Sequence, residues 1–93
     1  MYPEFEWDDA KAAENIRNHG VRFEEAVAAF RDNFAIDYFD DIDYVEERFI
    51  HIGLAGGQLL TIVYTERAER IRIISARRST KHEQEDYYSQ IPR

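Results

Sequence analysis

The sequence predicts an α+β fold in which helices pack on one face of an antiparallel sheet. Three observations carry that expectation. Residues 11–19 and 23–30 repeat their apolar positions at helical spacing, with Phe23, Val27 and Phe30 on one stripe. From Ala35 the period shortens to two, in runs broken by Ala55-Gly56-Gly57-Gln58 and by Glu66 to Glu69. Thr80 and Glu83 then stand in capping-box spacing ahead of a last helical segment.

Each element has its own local reason. Phe5-Glu6-Trp7 alternates and reads as a short edge strand. Asp8 or Asp9 caps the first helix, Lys11 to His19, and Gly20 stops it because glycine enters the left-handed conformation at little cost. The second helix covers Phe23 to Phe30. Ala35 to Phe39, Arg48 to Leu54, Leu59 to Thr65 and Arg70 to Ala76 are the expected strands of a meander. Leu59 to Thr65, the most apolar, is the central one. Between the first two lies an acidic loop, Asp40-Asp41-Ile42-Asp43-Tyr44. The final helix runs from Ser79 or Thr80 to about Tyr87.

Size and composition narrow the function classes. A chain of 93 residues is expected to form one domain over residues 1–93. Without cysteine there is no disulfide, thiolate metal site or thiol nucleophile. No His/Asp/Glu spacing makes a metal motif and no glycine-rich nucleotide loop is present, so neither metal nor cofactor is expected. No apolar run approaches a membrane span, and the acidic start lacks the order of a signal peptide. The expectation is a cytoplasmic protein with no membrane partner.

Charge is distributed unevenly. The chain carries a net charge of -7, yet six of its twelve Lys and Arg residues lie between Glu66 and Lys81. With only Glu66 and Glu69 to oppose them, the window holds +4 and leaves -11 for the remainder. Several arginines so close together suit phosphate, which their planar forks can grip. Strand alternation puts Arg70, Arg72, Ile74 and Ala76 on one face, and Ile71, Ile73, Ser75 and Arg77 on the other. Arg77 and Arg78 mark the passage into the last helix, where Lys81 occupies the first turn and backbone N–H groups favour anions. The bland alternative is a strand surface whose arginines pair with carboxylates elsewhere.

Other candidates depend on facing. A two-residue loop at Arg67-Ala68 would put Tyr64 opposite Ile71 in the core. A loop one residue longer would put it opposite Arg72 on the arginine face. His51, flanked by Ile50 and Ile52, is expected on the open face if those two are core, and could then act as an acid or base. His19 at a helix C-terminus suits a capping role, and His82 adjoins the arginine cluster.

Four segments together resemble the BrnT family of bacterial toxins: Phe5-Glu6-Trp7-Asp8 with Lys11 and Asn15; His19-Gly20-Val21 with Phe23-Glu24-Glu25-Ala26; Glu47-Arg48-Phe49-Ile50 ahead of Gly53; and Tyr64-Thr65-Glu66-Arg67 with Arg70 through Arg78. The resemblance covers nearly the whole chain in order. It implies a RelE-like fold and a metal-independent ribonuclease that slows translation as the toxin of a type II toxin–antitoxin pair. It also implies a BrnA-like antitoxin with a ribbon-helix-helix domain, through which alone the complex would reach operator DNA. Among site residues it points to Arg72, Arg77 and Arg78 for phosphate binding and transition-state support. Tyr64, His51, Arg67 and Lys81 follow, Arg70 lies in the same motif, and Glu47 is a base if it reaches the same face. A contrasting expectation is a non-catalytic module that only holds a DNA-binding antitoxin.

Overall fold

The helix boundaries follow their caps. In the computed structural model, which describes residues 4–40 and 45–92, helix α1 spans Asp9–His19. The Asp8 carboxylate accepts from the Lys11 N–H at 3.0 Å, and Gly20, at φ 69°, donates its N–H to the Ile16 carbonyl at 2.8 Å. Helix α2 covers Phe23–Ala29. Helix α3, Lys81–Ser89, starts with the expected capping box: Glu83 N–H donates to Thr80 Oγ1, and Thr80 N–H donates to Glu83 Oε1.

The strands are β1 (Phe5–Glu6), β2 (Ile36–Asp40), β3 (Arg48–Ala55), β4 (Gln58–Arg67) and β5 (Arg70–Arg78), arranged in one sheet of order β1-β5-β4-β3-β2. β2 to β5 form the expected antiparallel meander. β1 adds an edge strand that runs parallel to β5. Of the loop expected from Asp40 to Tyr44, Asp40 ends β2 and the rest, 41–44, lies outside the described residues.

The helices do not share one face, which corrects the expected layering. Val21 and α2 residues Phe23, Ala26 and Ala29 pack on Leu60, Ile62, Ile73 and Ala76, with α1 alongside. On the opposite face, Tyr87 of α3 packs on Ile52 and Leu59, supported by Ile36, Ile50 and Ile91. Two apolar faces need two covers, because a sheet buried on one side only would leave Ile50 and Ile52 in water. Gly53 makes the α2 side possible: a Cβ there would lie 2.4 Å from the Ala29 carbonyl oxygen, so only glycine lets the end of α2 close onto β3.

Two local details set the site. The β4–β5 turn is centred on Ala68 and Glu69, both at positive φ, one residue later than the two-residue loop considered above. Tyr64 therefore pairs with Ile73, which is neither of the two expected registers, and it is buried on the α2 side. A β-bulge then intervenes, since Val63 pairs with Ser75 and leaves Ile74 as the extra residue. From that point the alternation of β5 is inverted. Ala76 joins Ile73 in the α2-side core, and Arg77 moves to the face of Arg70 and Arg72. Uninterrupted alternation assigned both to the wrong sides.

Candidate functional site

Three cross-strand rows build the sheet face that α3 partly covers. The first, Ile36–Ile52–Thr61–Arg77, lies beneath α3. The second, Tyr38–Ile50–Val63–Ser75, lies beside it, and Tyr38 is exposed. The third joins Thr65, Arg72 and Glu6. Strand spacing of ~3.3 Å per residue puts the Arg72 and Arg77 rows about 13 Å apart, with Ser75 between them. The middle row, with Tyr38 exposed and Ile50, Val63 and Ser75 half-buried, forms a half-open strip flanked by the Arg72 and Arg77 rows.

Each of these arginines is held by a carboxylate. Arg77 donates twice to Glu83, from Nη1 at 2.7 Å and from Nη2 at 2.9 Å. Arg72 Nη1 donates to Glu6 at 2.8 Å. Arg70 lies 3.0 Å from Glu4 and 4.0 Å from Glu6, and Arg67 reaches Glu46 at 3.1 Å. Arg78 and Lys81, both exposed, have no ion-pair partner among the described residues. The net charge of the arginine cluster is thus largely compensated in place, and its uncompensated cations sit at the β5–α3 junction.

Glu83 is the most constrained acid. Its carboxylate also accepts from Thr61 Oγ1 at 3.0 Å, while Thr61 and Ser79 share a further hydrogen bond at 2.8 Å. The Arg77 fork, opposed by burial and aided by the Thr80 N–H and Thr61, lowers Glu83 from 4.5 to about 2. The same pair drives the Arg77 guanidinium above its ordinary value. A carboxylate so depressed is a poor proton acceptor at neutral pH and a good anchor. Tyr38 is raised, first by burial and then by the negative charge of Glu83 and Asp86.

The sign of the pH effect follows. A carboxylate with a depressed folded-state value stabilises the fold above its unfolded value and loses that contribution as pH falls through the folded one. For Glu83 the window runs from 4.5 down to about 2. Thermal melts should show Glu83→Gln destabilised by about 1–2 kcal/mol at pH 7, after allowance for solvent screening, and nearly indistinguishable from wild type at the acid end. A constant gap between the two across that window would refute the assignment.

His51 and Tyr64 are on the other side of the sheet. His51 is buried beneath α2 and not on an open face, which corrects its expected placement. The correction follows from both faces being covered. Its Nδ1 lies 2.8 Å from Asp37 Oδ1 and its Nε2 2.8 Å from the Ala29 carbonyl oxygen, with the ring stacked on Phe30 at 4.0 Å. The Tyr64 hydroxyl donates to the same Asp37 oxygen at 2.9 Å. Burial would raise Asp37, but the His51 hydrogen bond and charge and the Tyr64 hydroxyl outweigh it and hold the carboxyl low. Burial and the Asp37 charge drive the Tyr64 phenol well above its ordinary range. This trio ties β2, β3 and β4 to α2, with the His51 ring and the Tyr64 phenol buried inside it.

Glu47 is exposed on a groove lined by Glu46, Phe49, Thr65 and Glu66, and its carbonyl accepts the Thr65 hydroxyl at 2.6 Å. The structure therefore brings Arg70, Arg72 and Arg77 to one face, sets Arg78, paired with Leu60, and Lys81 at the β5–α3 junction and leaves Glu47 on a separate rim. Glu6, Glu83 and Tyr38 were not singled out from sequence. Glu83 was visible only as a capping residue, and Glu6 only as the alternate position of a short strand. Among the described residues no group of three or more His, Asp or Glu side chains is arranged to hold a metal ion.

Comparison with protein families settles the class. Residues 7–83 match the model described as "Ribonuclease toxin, BrnT, of type II toxin-antitoxin system". The chain belongs to the BrnT family of ribonuclease toxins. No curated protein matches it. The BrnT match begins just after β1 and ends in the first turn of α3, so it takes in Arg67, Arg70, Arg72, Arg77, Arg78, Lys81 and Glu83, and it implies an antitoxin partner.

Proposed function

We propose that this BrnT-family chain is a metal-independent endoribonuclease with a RelE-like arrangement, cutting RNA on the strip between Arg72 and Arg77. The observation that carries the reading is the bulge at Ile74, which puts Arg77 on the same face as Arg72. Two guanidinium groups flanking one strip can grip a phosphodiester and stabilise the added charge of a pentavalent phosphorane. In the reaction the ribose 2′-OH attacks the adjacent phosphorus and the P–O5′ bond breaks. Glu6, 2.8 Å from Arg72, is the carboxylate placed to take the 2′-OH proton, in preference to Glu47 on its separate rim. The leaving 5′ oxygen is protonated from solvent on this half-open face. The products are a 2′,3′-cyclic phosphate and a 5′-hydroxyl.

The same reading supplies its setting. The toxin acts in the cytoplasm and is neutralised by a BrnA-like antitoxin whose ribbon-helix-helix domain carries the complex to operator DNA. No described helix is long and apolar enough to cross a membrane. Purified protein should cut a single-stranded RNA oligonucleotide in EDTA and leave 2′,3′-cyclic ends. Induction without antitoxin should arrest growth with loss of intact RNA. Intact RNA at high concentrations of folded protein would refute the reading.

A second reading rests on a specific observation: Arg67, Arg70, Arg72 and Arg77 are already neutralised by acids of the same chain. On that reading the strip only holds the antitoxin. Its expected result is a tight complex without RNA turnover.

A further inference from the structure

On the far side of α3 from the strip lies a cleft of about 250 Å³ lined by Gln58, Leu59, Arg78, Ser79, Gln84 and Tyr88. It has no part in the chemistry described above. Three features give it a ligand preference. Arg78 is the one arginine of β5 with no carboxylate partner among the described residues, so its charge is available without displacing an acid. Tyr88 is 55% exposed and packs edge-on against Tyr87, with ring centroids 5.0 Å apart. Tyr87 is itself fixed by donating its hydroxyl to Asp32 at 2.6 Å. Tyr88 therefore presents an accessible aromatic face on an immobile support, a surface on which a base can stack. The amides of Gln58 and Gln84 supply both donors and acceptors within the same cleft; one N–H of Gln84 is used by the Ser79 carbonyl at 3.1 Å, leaving its oxygen available.

Cation, aromatic face and paired amides in one polar cleft match a nucleotide: phosphate on the guanidinium, base on the ring, base edge on the amides. Position agrees with composition. Arg77 and Arg78 are consecutive, and Arg77 Nη1 lies 3.4 Å from the Arg78 carbonyl oxygen. Lys81, exposed in the first turn of α3, follows Arg78 by three residues. A strand leaving the strip can pass around the start of α3 along Arg78 and Lys81, which have no ion-pair partner among the described residues, whereas the acidic remainder of the chain repels phosphate.

We propose that this cleft is a nucleotide subsite for single-stranded RNA, holding a nucleotide that flanks the scissile phosphate. The proposal rests on the ribonuclease reading and extends it to substrate recognition. The test uses the full chain and two probes: a fluorescein-labelled 2′-O-methyl RNA octamer, which cannot be cut because its 2′-OH is blocked, and the matching cleavable octamer. Tyr88→Ala should weaken octamer binding about tenfold and raise KM by a similar factor with kcat little changed, in keeping with the contribution of one stacked base. Tyr88→Phe should restore both values. Arg78→Gln should weaken binding and flatten its salt dependence. Thermal melts of all three should match wild type, since both side chains are exposed. Unchanged octamer affinity and KM in Tyr88→Ala and Arg78→Gln, with a wild type that cleaves, would overturn the subsite alone. The same conclusion would follow if these variants lost affinity for the antitoxin and not for RNA. A wild type that neither binds nor cuts RNA would overturn the ribonuclease reading and the subsite with it.

Discussion

Asn15→Ala should lower stability by about 3–5 kcal/mol, most of what a domain of this size has to lose. The reason lies at the edge of the sheet. β1 has two residues and pairs only with Ile71 and Arg72, so the outer edge of β5 beyond them has no strand neighbour. Asn15 of α1 substitutes for one. Its Nδ2 donates to the Ala76 carbonyl at 2.8 Å, and its Oδ1 accepts the Ala76 N–H at 3.1 Å, as a paired strand residue would. The second Nδ2 hydrogen donates to the Val21 carbonyl at 2.9 Å and anchors the chain after Gly20. Asn15 is 5% exposed and Ala76 is fully buried, so water cannot replace the lost partners. An orphaned buried group costs about 1–3 kcal/mol, and the substitution creates several at once. For a chain of this length the melting temperature should fall by roughly 15–25 °C. Asn15→Asp should be no better, because it loses both donors and turns a carboxylate toward two carbonyl oxygens. Asn18→Ala, on an exposed part of the same helix, is the control. A melting temperature for Asn15→Ala close to that of the control would show that Asn15 does not serve as the missing strand.

Asn15 also shows where the sequence ceases to be readable. Local elements were legible because local chemistry sets them. Asp8, Gly20 and the Thr80–Glu83 box mark helix ends within a turn of their observed places, and the two-residue period marks β3, β4 and β5. Long-range pairing leaves no such mark. Nothing in the spacing of Asn15 announces a contact with a residue 61 positions away. The bulge at Ile74 is equally silent, since an isoleucine fits a regular strand and a bulge alike. Yet it reverses every facing after it, and so decides which arginines act together. Alternation alone puts His51 on an open face only where one side of the sheet is covered. With α3 on the other side, Ile50, Ile52 and His51 are all drawn inward, and His51 is satisfied by Asp37 and Ala29. The arginine cluster itself was plain in the sequence. That four of its members are matched by acids from β1 and the residue before it, from α3 and from the segment ahead of β3 was not.

Arg72→Ala should reduce cleavage of an RNA oligonucleotide by a factor of about 10²–10³ while leaving the fold intact, the range seen when a preorganised donor to transition-state charge is removed. Arg72 gives the cleaner test of the strip. Its partner Glu6 is 25% exposed in its side chain, so water can hydrate the carboxylate once the guanidinium is gone. The melting temperature should change by only a few degrees. Arg77→Ala should lose activity to a similar degree, but it also strips Glu83 of its main partner and leaves a more buried carboxylate, 16% exposed, unpaired. Lost cleavage in that variant will therefore be accompanied by lost stability, and the double variant Arg77→Ala/Glu83→Gln should recover stability without recovering activity. Arg70→Ala, in the outermost position and matched by the exposed Glu4, should cost less than tenfold. The acid partners predict a further asymmetry. RNA must displace Glu6 from Arg72 before the phosphate can be gripped, so Glu6→Gln should tighten binding of an uncleavable 2′-O-methyl strand while slowing cleavage, because the competitor and the proton acceptor are the same carboxylate. Tighter binding with undiminished cleavage would leave Glu6 as a competitor only. Wild-type cleavage by Arg72→Ala would remove the strip from the chemistry altogether.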